Sequence, residues 1–121
     1  MFPVKQKVIN VAEDFSPSPI GRYRSDSDTS GEAFRVDHLV PALKSFDQVI
    51  VNMDGTDGYG SSFLEEAFGG LIRVEGFSEK QLKSKLHIIS SRTSYKIRAW
   101  NYISEEQGRN KNGGAYNFSF A

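Results

Sequence analysis

Residues 51–70 read VNMDGTDGYGSSFLEEAFGG. The apolar run Val49, Ile50 and Val51 leads into Asp54-Gly55-Thr56, then into a loop with glycine at 55, 58 and 60. After Ser61 and Ser62, the residues Phe63, Leu64, Ala67, Phe68 and Leu71 recur at helical spacing. A buried strand over Gln48–Met53, a glycine loop and a helix follow one another, which is the α/β order of elements. The start of such a helix leaves amides without intrahelical acceptors and carries a partial positive charge. An anion, or a phosphoserine formed there, would find donors waiting.

Two phosphate chemistries use this geometry, and the sequence lacks the reactive residue of each. A phosphatase of the haloacid-dehalogenase type needs Asp-x-Asp-Gly-Thr after the strand. Asp54, Gly55 and Thr56 fit, but Asn52 stands at the nucleophile position, and an amide cannot form an acyl-phosphate. A phosphate-binding P-loop needs Lys after its last glycine. Ser61 stands there instead, and Asp57 adds a negative charge inside the loop. With both signatures incomplete, the expectation is no enzyme activity, no cofactor and no metal. His38 and His87 are the two histidines, far apart and with no cysteine near them, so they do not suggest a metal site.

Working outward, Val4–Phe15 carries Val8, Ile9, Val11 and Phe15 among polar residues and reads as a strand or strand pair. Ser16–Ser30, SPSPIGRYRSDSDTS, reads as a mobile loop. Thr29 and Glu32 have capping-box spacing before a helix carrying Phe34, Val36, Leu39, Val40 and Leu43, which Pro41 should kink or split. Ser62 and Glu65 have the same spacing at the second helix, and Ser78 caps a short helix to Lys85. Gly69 and Gly70 weaken the second helix unless a neighbour must come close there. Leu86–Ser90 is a third strand, and Thr93–Gln107 a last helix with Ile97, Trp100 and Ile103 on one face. Residues 109–121 read as a flexible tail or an added edge strand, which leaves 1–108 as one domain. The expected fold is a small parallel or mixed sheet flanked by helices.

The 121 residues suit a single domain. Lys plus Arg and Asp plus Glu number 15 each, so global charge suggests neither a nucleic-acid nor a membrane partner. Arg92–Tyr102 interleaves basic and aromatic residues, but its apolar residues suit a helix core face. The absence of cysteine, of a membrane-length apolar run and of a signal-peptide pattern leads to the expectation of a cytoplasmic protein.

The segment DG-x-x-GYGSSFLEEAFGGL, with SGEAFR at 30–35, resembles a STAS-like domain family of unknown function (DUF4325). STAS domains proper include bacterial anti-sigma-factor antagonists, in which a strand ends in an Asp-Ser-Ser-Gly loop before a helix. The first serine there is phosphorylated by a histidine-kinase-like ATPase partner, and the phosphate breaks the complex. The resemblance implies a STAS-like fold and a non-enzymatic, protein-binding regulatory role in bacterial signalling. It places the candidate phosphorylation sites at Ser61 and Ser62, with Gly60 and Phe63 where the antagonists carry Asp and Gly. The binding surface would be Asp54, Gly55, Thr56, Asp57, Gly58, Tyr59, Gly60 and Phe63, joined by Arg22 and Arg35. The alternative is a small-ligand or nucleotide site on the Gly55–Ser62 loop.

Overall fold

Strand β1 (Gln6–Asn10) places Ile9 inward and leaves Val8 outside, the alternation that a half-covered sheet demands. The computed structural model describes residues 4–117, with side chains through Arg109. The second strand, β2 (Gln48–Asn52), buries Val49 and Val51; β3 (Leu86–Ile89) buries Leu86 and Ile88. The order is β1-β2-β3 and both pairings are parallel, with Val8 beside Ile50 and Ile50 beside His87. The helices cover one face. The other face presents Val8, Ile50, His87 and Ile89 outward.

Val11–Phe15 does not extend the first strand. It forms one wide helical turn, closed by the Asn10 amide donating to Asp14 Oδ2 (2.7 Å) and the Ser16 amide to the Val11 carbonyl (2.8 Å). The turn aims Phe15 at Phe34, with ring centroids 5.2 Å apart. The segment expected to be mobile, 16–30, is tied down. Ile20 donates to the Thr29 carbonyl (2.9 Å), and Gly31 to that of Gly21 (3.0 Å).

Helix α1 covers residues 31–45 as Gly31–Phe34, a π-type turn Arg35–Leu39, and Val40–Ser45. Pro41 has no amide hydrogen, so the carbonyl one turn earlier loses its donor, and the wide turn just before Pro41 absorbs the mismatch. Its N-cap is Ser30, not Thr29: Ser30 Oγ accepts from the Ala33 amide (3.1 Å). Glu32 instead accepts from the Arg24 amide (2.9 Å). Ser30→Ala should therefore cost about 1 kcal/mol in chemical denaturation, as loss of a cap generally does, and Thr29→Ala clearly less. Equal losses would put the cap elsewhere.

Helix α2 covers residues 61–73 as Ser61–Leu64, the π-type turn Glu65–Gly69, and Gly70–Arg73. It lies between α1 and the last helix and is buried almost all round, so its apolar residues are not confined to one stripe. Helix α3 (Glu79–Lys85) has the full capping box, Ser78 with Gln81. Helix α4 (Thr93–Asn117) buries Ala99, Ile103 and Glu106, while Ile97 stays 55% exposed. Residues 109–117, expected as a tail or edge strand, continue that helix, and 118–121 lie outside the described residues. Among the described residues no helix is long and apolar enough to cross a membrane.

Candidate functional site: the Asp54–Ser62 loop

The loop leaves the carboxyl end of β2, where open parallel sheets hold their ligands. Gly55 (φ +98°) and Gly58 (φ +126°) take left-handed backbone that side chains disfavour. Asp54 is exposed, and its Oδ1 accepts from the Ser91 amide (2.8 Å) and hydroxyl (2.9 Å), which ties the β2 loop to the β3 loop. Asp57 accepts from the Ser18 hydroxyl (2.8 Å), and its amide donates to the Pro17 carbonyl (2.9 Å). Thr56 Oγ1 accepts from the Gly58 amide (3.2 Å).

Beneath the loop, Tyr59 is 6% exposed and donates its hydroxyl to the Met53 carbonyl (2.7 Å). Burial pushes this phenol up to about 12, so it is neutral at physiological pH and acts as a strut. Its ring meets Tyr95 edge-on at 5.0 Å and Phe63 at 5.6 Å. Phe63 is also buried. These two aromatics, expected on the surface, instead hold the loop from the core side.

The start of α2 is open. Gly60 is the N-cap and supplies no side-chain acceptor, so the Ser62–Glu65 capping box does not form. Ser61 and Ser62 are both exposed, and a methyl group built on Gly60 would meet nothing within 4 Å. Leu64 is the first residue of the helix whose amide finds a backbone carbonyl, that of Gly60 (3.2 Å). Two exposed serines therefore stand at a helix start whose first amides have neither a backbone nor a capping acceptor.

Glu65 is held elsewhere. It pairs with Arg22 and accepts from Arg73 Nη1 (2.7 Å). Arg35, expected beside the loop as an anion binder, is 2% exposed and lies between α1 and α2. Its Nη1 donates to Glu66 Oε2 (2.7 Å) and to the Glu66 carbonyl (2.6 Å), and its Nε to Glu75 Oε2 (3.0 Å). Arg22 is one-third exposed and committed to Glu65 and Glu66. Both arginines are thus turned into the helix pair, because buried carboxylates there require cations. Residues that sequence reasoning missed also line the loop: Ser18, Ser91, Arg92 and Tyr95. The position of Ser91 and Arg92 just after a parallel strand was the signal for two of them.

Burial alone would push the Glu65 carboxyl up, but the hydrogen bonds from Arg73 and Arg22 outweigh it and leave it below the ordinary range. A depressed folded-state pKa adds stability that is complete above the unfolded value, about 4.3, and is lost as pH falls through the folded value. Melting temperature should therefore drop on acidification below that range, and Glu65→Gln should flatten part of the drop. An unchanged acid limb in the variant would remove Glu65 from this linkage.

A family described as a STAS-like domain of unknown function (DUF4325) matches residues 30–96. The chain belongs to this STAS-like family. The matched span runs from the cap of α1 through β2, the Asp54–Ser62 loop, α2, α3 and β3 into the start of α4. The three-stranded parallel sheet with helices agrees with a STAS-like fold. No curated protein and no solved structure matches the chain.

Proposed function

We propose that this STAS-like domain is a non-enzymatic regulatory module that binds a protein partner through the Asp54–Ser62 loop, under control of phosphorylation at Ser61 or Ser62. The observation that carries the reading is the open start of α2. Two exposed hydroxyls stand beside unbonded first-turn amides, with a glycine in place of a capping side chain. A phosphoryl group added there gains donors from those amides and the favourable end of the helix dipole. It also places charge on a surface already holding Asp54 and Asp57, so it would repel a partner that had bound the unmodified loop. A histidine-kinase-like ATPase fits as that partner, since the resemblance to the anti-sigma-factor antagonists includes the serine position. Bacterial signalling and the cytoplasm are part of the same proposal.

The loop is a weaker nucleotide site. Its cleft, lined by Asp54, Asp57, Arg92 and Tyr95, holds about 170 Å³, below the roughly 300–1,000 Å³ of small-molecule pockets.

The test incubates the full chain with a co-encoded histidine-kinase-like ATPase and magnesium ATP, and reads intact and peptide masses. One added phosphoryl group on the peptide holding Ser61 and Ser62, absent from Ser61→Ala or from Ser62→Ala, is expected. It should weaken the complex at least tenfold. An unmodified chain in a complex with an ATPase shown active on ATP would remove the switch.

A further inference from the structure

The Asp54–Ser62 loop contains two Asp-Gly dipeptides, Asp54-Gly55 and Asp57-Gly58. In any Asp-Gly pair the glycine nitrogen can reach the aspartate Cγ, because a bond between them closes a five-membered ring. Glycine has no side chain to hinder the approach. What decides the rate is how the fold holds the nitrogen and the carboxyl group, and the loop holds its two dipeptides differently.

Asp54 and Gly55 are both exposed. The Gly55 amide has no acceptor among the described residues. Ser91 donates to Asp54 Oδ1, while Oδ2 has no donor among the described residues. Asp57-Gly58 is fastened at each point. The Asp57 amide donates to the Pro17 carbonyl (2.9 Å), its Oδ2 accepts from the Ser18 hydroxyl (2.8 Å), and the Gly58 amide donates to Thr56 Oγ1 (3.2 Å). Gly58 is half-buried, and the Tyr95 hydroxyl lies 3.2 Å from where a β-carbon on it would stand. A bonded amide proton is shielded from the base that must remove it, and fastened main chain opens rarely to form the ring.

We propose that Asp54-Gly55 is a site of spontaneous isomerisation in the folded protein, and that Asp57-Gly58 is protected from it. The Gly55 nitrogen attacks Asp54 Cγ. The amide hydrogen and the hydroxyl of the protonated carboxyl group leave as water, and the new C–N bond closes a succinimide. Water then opens the ring at either carbonyl. Breaking the new bond at Cγ restores aspartate. Breaking the original peptide bond leaves isoaspartate, whose main chain runs through Cβ and Cγ. Water is the only co-reactant. The product adds one carbon to the main chain just after β2 and leaves a carboxylate one carbon shorter, drawn back from Ser91. The tie between the β2 and β3 loops is thereby lost. On the loop reading proposed above, a chain altered in this way binds its partner less well as it ages. The isomerisation itself needs no partner and no phosphorylation, so it is tested apart from that reading.

The test holds the full chain at neutral pH, folded and in parallel unfolded in urea, and samples both over weeks. Labelling by an isoaspartate-specific carboxyl methyltransferase counts the altered residues. Digestion with an endoproteinase that cuts at aspartate and passes over isoaspartate, read by peptide mass, places them. In urea the two dipeptides should convert at comparable rates. In the folded chain Asp54 should convert at least tenfold faster than Asp57. Asp54→Glu keeps the carboxylate but would need a six-membered ring, so it should lose the methyl label from this position. A folded chain in which both dipeptides are equally slow, or in which Asp57 converts faster, overturns the proposal. So does an Asp54→Glu chain that takes up as much label as the parent.

Discussion

Replacing Glu66 with alanine should lower the unfolding free energy by about 3 kcal/mol or more, the usual result of leaving a buried charge without its partner. Glu66 is 3% exposed, and its Oε2 accepts from Arg35 Nη1 at 2.7 Å. The other oxygen accepts from Arg73 Nη2 at 3.2 Å and faces Arg22 Nη1 at 3.4 Å. One carboxylate therefore gathers three guanidinium groups from α1, α2 and the 16–30 segment. In the variant, Arg35 keeps Glu75 and the Glu66 carbonyl, which holds the loss near the lower end of the range for broken buried pairs. Against a typical total of about 5–15 kcal/mol this is a large share. Glu66→Gln keeps the volume and an acceptor, and should lose less. Glu65→Ala should lose least, because exposed pairs contribute only about 0–1 kcal/mol, and the Glu65 side chain is 21% exposed against 4% for Glu66. Urea denaturation of the three variants at neutral pH gives the ranking. A Glu66→Ala loss under about 1 kcal/mol would show that the apolar core, not this network, holds the helices together.

That network marks where sequence reasoning reached its limit. The strand over Gln48–Met53, the loop, the helix after Ser61 and the short helix capped by Ser78 were legible, because apolar period and cap chemistry are local properties. The position of Ser61 and Ser62 at a helix start was legible for the same reason, but the expected Ser62–Glu65 box does not form. The pairing of Arg35 with Glu66 was not. Both residues are polar letters in the sequence, and only the packing of α1 on α2 turns them toward each other. Glu65 was read as closing a capping box and Arg35 as part of the binding surface, which are sound readings for an isolated helix. Val11–Phe15 failed differently: four or five residues with two apolar ends satisfy both a strand and a single helical turn. At α1 the serine and threonine stand side by side, so spacing alone could not choose between Thr29 and Ser30. Ser91 and Arg92 follow a strand that was legible, but that this strand lies beside β2 is strand order, which no local pattern encodes.

Gly70 carries the last expected result, and its sign depends on the same buried pair. In an open helix, Gly70→Ala should stabilise by about 1 kcal/mol through propensity. Here the added methyl carbon would stand 2.9 Å from Arg35 Cζ and 3.1 Å from Cδ, closer than such atoms approach. Arg35 cannot swing aside without giving up its bonds to Glu66 and Glu75. Overpacking of this kind costs about 1–3 kcal/mol, and disturbing the buried pair adds to it, so a net loss of about 2–3 kcal/mol is expected. Gly69→Ala is the internal control. Its methyl would meet Glu65 Oε2 at 2.9 Å, the far end of a partly exposed side chain that can turn away. That variant should fall within about 1 kcal/mol of the parent, the propensity gain offsetting the disturbed surface pair. Two adjacent glycines should thus respond unequally to one substitution. A double-mutant cycle locates the cause: with Arg35 already shortened to alanine, Gly70→Ala should lose most of its penalty, a coupling of about 1–2 kcal/mol between residues in contact. Additive losses would mean that Gly70 is needed for its own backbone and not for the space it leaves to Arg35.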